Sequence, residues 1–314
     1  MPVSKSDFTV AVIIPMYNSE STIVRSLLSI EKQSVLPEQV IVIDDGSVDS
    51  SKQVVTEYIK KSLLNIELLS QENAGPSSAR NKGINAASEH LIAFLDADDE
   101  WHPSKLEKQL ALYADKSPNS KVGIVECYMM DVCNELRISR NSPTLSGNHF
   151  KDFINSNVIK GTPCVMAPRH VLQSCGGFDE SLRFAEDRLL WSKIAVDYEI
   201  HTVPEVLVTR HFGSADNITS NPEKNYKFKK EFVAKFLKLF SFKLTSGEIR
   251  EFKLSNIYDF MTVFYSKKDY GNTVLCFNDM VAVSFFSLYY KACYPLVKYL
   301  VALLKIKLKG RDIK

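Results

Sequence analysis

The stretch QVIVIDDGSVDSS, residues 39–51, joins an unbroken apolar run to two carboxylates, a glycine and a cluster of helix-capping residues. Gln39–Asp44 is short, β-branched and uninterrupted, the pattern of a strand buried on both faces; polar alternation appears only where one face meets water. The same pattern recurs on either side. Thr9–Pro15 (TVAVIIP) reads as a first buried strand, Ile66–Leu69 as a third and Leu91–Leu95 (LIAFL) as a fourth. Helix is expected from about Asn18 or Ser19, either of which can cap it, then over Ser47–Lys61, and over Pro76–Ala87, where Pro76 suits the first turn. Buried strands alternating with helices predict an α/β fold, a mostly parallel central sheet flanked by helices. Such sheets bind ligands beyond the carboxyl ends of their strands. Asp44 and Asp45 directly follow the second strand and Asp96, Asp98 and Asp99 the fourth, so both acidic clusters are expected to project into one crevice.

Beyond residue 120 the pattern is less regular. Strands are expected at Val122–Tyr128 and Val206–His211, and helices at Trp101–Tyr113, Asn148–Ser156 and Glu186–Ala195. After Asn221 the chain becomes helical, basic and aromatic. Residues 1–220 carry 21 Lys and Arg against 29 Asp and Glu, a balance of −8, whereas residues 221–314 carry 18 against 8, a balance of +10. An acidic body argues against nucleic acid as a partner, while a basic tail suits phosphate-bearing lipid headgroups or a solvated face. The chain of 314 residues, 45% apolar, is long enough for one large or two modest domains. Residues 1–7 hold no apolar run, so no secretory signal is expected and the cytoplasm is the expected compartment. Six scattered cysteines without a Cys-x-x-Cys pair read as reduced, mostly buried thiols.

Four groups of residues carry chemistry. Asp96-Ala97-Asp98-Asp99 ends a buried strand and repels itself unless a cation neutralises it. Hard oxygens suit Mg2+ or Mn2+ held by one or two carboxylates plus phosphate oxygens, as a diphosphate would supply; the same cluster also reads as an acidic cap on the helix expected at Trp101. Asp44-Asp45-Gly46-Ser47 suits a grip on base or ribose, or equally an Asp-Gly turn with Ser47 or Asp49 capping a helix. Arg80, on the helix entered through NAGPSSARN, suits compensation of phosphate charge or a surface salt bridge. Glu186-Asp187 opens a helix, where carboxylates are favoured by the helix dipole whether or not they act as acid or base. His90, His102, His149, His170 and His201 show no ligand spacing, and Trp101 and Trp191 read as packing aromatics.

In order, VIIPMYN (12–18), VIVIDDGSVDSS (40–51), NAGPSSARNKGI (73–84), FLDADDEW (94–101), GGFDESL (176–182) and EDRLLW (186–191) closely resemble the family 2 glycosyltransferases, over roughly residues 8–215. The resemblance implies the GT-A fold, an α/β domain with a nucleotide-sugar half to about 120 and an acceptor half from about 121; the change in composition near residue 220 bounds a catalytic domain over 1–220 and a basic, helical C-terminal extension over 221–314. The resemblance also implies an inverting transfer dependent on Mn2+ or Mg2+, from a nucleotide-sugar donor, commonly a UDP-sugar, to a hydroxyl of a glycan or lipid-linked acceptor of surface polysaccharide synthesis. Position by position, it implies that Pro15, Tyr17 and Glu20 edge the donor site, Asp44 and Asp45 contact the nucleoside, and Arg80 lies near the phosphates. Asp96 and Asp98 match the Asp-x-Asp motif, facing ribose and metal. Asp187, beside Glu186, matches the catalytic base, and His211 matches a histidine near metal or diphosphate. A sugar nucleotidyltransferase would call for a glycine-rich loop after the first strand, where this chain reads PMYNSES (15–21). A catalytically inactive sugar-binding scaffold is the other alternative, disfavoured by the intact carboxylates.

In the tail, Lys291, Lys298 and Lys305 recur every seven residues and interrupt the apolar run of Met280–Leu304 before it reaches the roughly 18–20 residues needed to span a bilayer. Pro295 is expected to split this region into two helices, with the lysines on one face and Leu296, Val297, Leu300, Val301, Leu303 and Leu304 opposite. Such a helix suits a membrane surface, the catalytic domain or a twin subunit.

Overall fold

The computed structural model describes residues 8–211, 221–284 and 294–309. They form two compact units, the first comprising described residues 8–153, 157–181 and 186–211, the second 154–156, 182–185, 221–284 and 294–309.

The first unit runs β1 (Val10–Met16), α1 (Ile23–Glu31), β2 (Gln39–Asp44), α2 (Ser51–Ile59), β3 (Ile66–Ser70), α3 (Pro76–Ala86), β4 (Leu91–Phe94), β5 (Glu100–Trp101), α4 (Lys105–Lys116), β6 (Val122–Cys133), β7 (Leu136–Arg140), β8 (Ser146–Gly147), β9 (Met166–Pro168), α5 (Arg169–Ser174), α6 (Glu186–Ala195) and β10 (Glu199–His211). One sheet has the order β3-β2-β1-β4-β9-β6-β10-β5, with β7 beside β6 and β8 beside β10. Strands β3, β2, β1 and β4 are mutually parallel, as are β6 and β10, whereas β9 and β5 run against their neighbours. This is the expected mostly parallel α/β architecture. Val12, Ile14, Val40, Val42, Leu91 and Ala93 are fully buried, so these strands depend on helices over both faces. Helix α3 lies hard against the sheet: a Cβ on Gly83 would sit 2.6 Å from Ile13 Cγ2 and 2.9 Å from Ile43 Cδ1.

Local expectations shift where tertiary partners compete. Helix α1 begins at Ile23, not at Asn18 or Ser19. Asn18 holds left-handed backbone (φ 48) and its side-chain Oδ1 accepts from Val48 N at 2.9 Å, so it ties two loops together instead of capping a helix. Trp101 lies in β5, paired with Val208 of β10, and α4 starts only after Pro103, which disfavours helical backbone at His102. The segment expected as helix over Asn148–Ser156 is a short 3-10 turn, Phe150–Ile154. Strand β10 starts at Glu199, seven residues before the expected start, because β6 pairs it along that length; its register shifts at Val203/Val206, where Pro204 cannot donate. Cys127 and Cys164 are buried free thiols.

The second unit contains α7 (Pro222–Phe240), α8 (Ser246–Ser266), α9 (Tyr270–Val283) and α10 (Tyr294–Lys309). Asn221 and Asp269 cap α7 and α9, and Thr245 with Glu248 forms a reciprocal capping box on α8. Phe232, Phe236 and Phe252 fill its interior, the last two stacked 4.2 Å apart. Pro295 sits in the first turn of α10, while Lys291 lies outside the described residues. Of the two lysines described on α10's expected basic face, Lys298 is buried with its ammonium over the rings of Tyr265 and Tyr258, at 5.3 and 5.8 Å, whereas Lys305 is exposed alongside Val297, Leu300, Leu303 and Leu304. Aromatic faces accept the cation and leave the apolar side outward. Among the described residues no helix is long and apolar enough to cross a membrane.

Candidate active site

Four turns at the carboxyl ends of the parallel strands build the site. The turn after β1 and the turn after β2 are laced together: Asn18 N donates to Ser47 Oγ, Glu20 N to Asp49 Oδ2, and Ser50 N to Glu20 Oε2 at 2.8 Å. Glu20 is thereby a tie between loops, Pro15 lies within β1 opposite Ile43, and Tyr17 stands 49% exposed above them. Asp44 Oδ1 accepts from Ser47 N at 3.0 Å, closing the Asp-Gly turn. Asp45 is fully engaged, Oδ1 accepting from Gln71 Nε2 at 2.7 Å and Ala74 N at 2.9 Å, and Oδ2 from Gly75 N at 2.8 Å. Its carboxylate therefore shapes the 71–75 loop that leads into α3, and Asp44 presents the less occupied carboxylate of the pair. Gln71 is a site-building residue outside every motif, its one local signal being position beside a strand end, and Asn18, expected as a helix cap, builds the site instead.

The turn after β4 is electrostatically unfinished. Its backbone is held from α1, where Arg25 donates to the carbonyl of Asp98 and Ser26 Oγ to that of Asp99 at 2.8 Å. Burial and the neighbouring Asp96 push the Asp98 carboxyl above the usual range, against weaker relief from its own amide, Arg25 and His211. Asp99, 1% exposed, is pushed well up by burial and by Asp96 and Asp98. His211 N donates to Asp99 Oδ1 at 3.3 Å, yet Asp99 Oδ2 is buried without a partner. The His211 ring lies against Glu100, Nε2 to Oε1 at 2.7 Å. Among the described residues no three His, Cys, Asp or Glu side chains converge as a ready-made metal cage. Asp98 accepts from no described side chain, and hard oxygens short of positive charge fit a cation completed by phosphate oxygens.

Arg80 joins this turn to the start of α6. Its guanidinium is buried, NH2 lying 2.8 Å from Asp96 Oδ1 and NH1 3.8 Å from Glu186 Oε1, with the Phe178 ring centroid 5.4 Å away. Burial opposes its charge, and Asp96 and Glu186 more than offset that, so it stays protonated. Asn81, the next residue, accepts from Phe178 N and donates to Phe178 O, both at 2.8 Å, locking α3 to the Gly-Gly turn. Gly177 is required there: its φ is +63, and a Cβ would lie 2.4 Å from Asn81 Oδ1. Trp191 packs against Phe178 at 5.7 Å and Phe94 at 6.3 Å, which seats α6 on the sheet. Burial first, then Asp187, raises the Glu186 carboxyl. Burial likewise raises Asp187, opposed by Arg188 N, Arg80 and Asn157. Two carboxylates with raised affinity for protons thus sit at a helix start beside one arginine shared with the Asp-x-Asp turn.

Residues 11–172 match the sequence pattern described as "Glycosyl transferase family 2", and the chain belongs to that family. Its fold is similar to that of Staphylococcus aureus TarS 1–349 crystallised with UDP-GlcNAc, with a TM-score of 0.69 and 20% identity over 98% of this chain and 92% of that one. Among curated proteins, it is 28% identical over 250 residues to Escherichia coli WfgD, a UDP-Glc:alpha-D-GlcNAc-diphosphoundecaprenol beta-1,3-glucosyltransferase, covering 74% of this chain and 87% of WfgD. It is 33% identical over 194 residues to Bacillus subtilis GgaA, a minor teichoic acid biosynthesis protein, covering 59% of this chain and 42% of GgaA. The chain spans between 34% and 42% of the length of GgaA and three rickettsial glycosyltransferases that it also matches.

Proposed function

We propose that the protein is an inverting glycosyltransferase that passes a sugar from a UDP-sugar to a hydroxyl of a glycan acceptor, a lipid-linked intermediate of surface polysaccharide synthesis. The reading rests on Arg80, whose guanidinium meets Asp96 of the turn after β4 and Glu186 at the start of α6, next to Asp187. The UDP-GlcNAc carried by TarS supports the donor class, and the activity that WfgD is named for supports the lipid-linked acceptor.

In this reading Asp44 and the lip formed by Pro15, Tyr17 and Glu20 hold the nucleoside, and Asp45 keeps the 71–75 loop in place beside it. Asp98, with Asp96 and His211 near it, would hold Mg2+ or Mn2+. A bound divalent cation offsets the charge that develops on a departing diphosphate. Asp187 takes the proton from the acceptor hydroxyl; its raised proton affinity suits a general base that must be ionised and still basic near neutrality. Glu186 stays paired with Arg80 and keeps the guanidinium from collapsing wholly onto Asp96. The exposed Val297, Leu300, Leu303 and Leu304 with nearby Lys305 and Lys307 support contact with an anionic membrane surface. A 440 Å3 cavity in the second unit, lined by Val233, Leu237, Ile257 and Lys253 among others, offers further apolar and basic surface.

Asp187→Asn tests the assignment. It is expected to leave UDP affinity unchanged by calorimetry and to lower transfer to a lipid-diphosphate-linked acceptor at least about a hundredfold. Near-normal turnover would place the base elsewhere.

A further inference from the structure

Asn157 occupies no recognised motif, yet its amide Nδ2 donates to Asp187 Oδ2 at 2.8 Å. The other carboxylate oxygen, Oδ1, accepts from Arg188 N at 2.6 Å. With one donor on each oxygen, the carboxylate plane is fixed, and the remaining lone pairs point in set directions. The clamp is reciprocal. The Arg188 guanidinium donates from Nε to the carbonyl of Phe153 at 3.1 Å and from a second nitrogen to the same oxygen, while Lys160 Nζ donates to the Asn157 carbonyl at 3.3 Å. The chain is therefore tied at Phe153, four residues before Asn157, to the residue after Asp187, and at the carbonyl of Asn157 itself to Lys160.

The other end of the amide is informative. Asn157 Oδ1 is buried with no hydrogen-bond partner. Turning the amide over would set that oxygen against the carboxylate, so Asp187 dictates the orientation, and the orphaned acceptor costs stability. A side chain kept for packing alone would avoid that cost with an apolar group of similar size. We propose that Asn157 is a positioning residue for the transfer: it sets the plane of the Asp187 carboxylate and favours its ionised form, so that Asp187 meets the acceptor hydroxyl as a base. This rests on Asp187 being the base. The charged groups facing Asp187 are Glu186, which disfavours ionisation, and Arg80 and Arg188, which favour it.

The test uses full-length protein with 13C-labelled aspartate side chains, as wild type, Asn157→Ala and Asn157→Asp, with Asp187→Asn to identify the Asp187 resonance. Release of UDP from UDP-GlcNAc, with water as acceptor, is followed across the same pH range. Loss of the amide donor is expected to move the Asp187 titration up by about one unit, and further in Asn157→Asp, where a like charge replaces a donor. The acidic limb of kcat should move in the same direction, lowering kcat about tenfold below the limb with KM for the donor unchanged. An unmoved titration and limb in both variants overturns the proposal, as does a uniform loss at every pH accompanied by a fall in Tm. If Asp187→Asn keeps full turnover, the assignment of the base fails and this inference with it. If that variant is inactive while the limb stays put in the Asn157 variants, the inference alone fails.

Discussion

The two acidic turns at the strand ends look alike in sequence and differ in what surrounds them. After β2, Asp45 receives three hydrogen bonds from residues 71–75, and Asp44 closes its own turn. After β4, Asp98 accepts from no described side chain and Asp99 keeps one buried oxygen unpaired, while Asp96 spends its charge on Arg80. A carboxylate satisfied by backbone N–H groups is part of the scaffold, whereas one that is buried, crowded by like charge and underbonded is short of positive charge, which in the proposed reading a divalent cation would supply. The contrast separates carboxylates that hold the loops together from those left underbonded between them.

The largest effect that would break this contrast lies at Asp98. Asp98→Asn is expected to lower manganese-dependent affinity for UDP about a hundredfold, roughly the loss of one partner of a close charge pair, and to raise the Tm of the unliganded protein by relieving repulsion within the turn. Calorimetry and a melting curve read both; unchanged metal-dependent affinity would remove Asp98 from the cation site. Asp45→Asn should behave in the opposite sense, destabilising the unliganded protein by about 2 kcal/mol because an amide N–H2 meets backbone donors that the carboxylate had satisfied. Urea denaturation checks it, and a loss of UDP affinity without a loss of stability would make Asp45 a ligand contact rather than scaffold.

Glu126 on β6 sharpens the comparison away from the strand ends. It is wholly buried, accepts from Thr202 Oγ1 and Ser142 Oγ, and is still pushed by burial from 4.5 up to about 8. Two hydroxyl dipoles and a distant Lys160 do not repay its desolvation. Because its folded-state affinity for protons exceeds that of the unfolded chain, the folded form binds more protons between these values, and its contribution to stability is full below pH 4.5 and is lost as pH rises toward 8. Glu126→Gln should flatten the fall in Tm over that window, with little change at pH 4.5. A slope identical to wild type would show that Glu126 is ionised in the folded protein at neutral pH.

The alternation of buried strands and helices, the acidic pairs at two strand ends and the α6 start at Glu186 were all legible in sequence. Each depends on local signals: β-branched runs, caps, and carboxylates favoured in a first helical turn. Tertiary structure alone decided which carboxylates are spent. Asp45 is satisfied by a loop some thirty positions away, and Arg80 meets Glu186 across more than a hundred. Trp101 became a strand residue because β10 offered it a ladder, and Lys298 turned inward because Tyr258 and Tyr265 offered it their ring faces. Asn157 carries no motif at all, and its amide has a role only because the 157–160 segment returns to the first turn of α6. Periodicity and capping are set by neighbours along the chain, but hydrogen-bond saturation and charge pairing are set by neighbours in space, and those exist only once the sheet has formed.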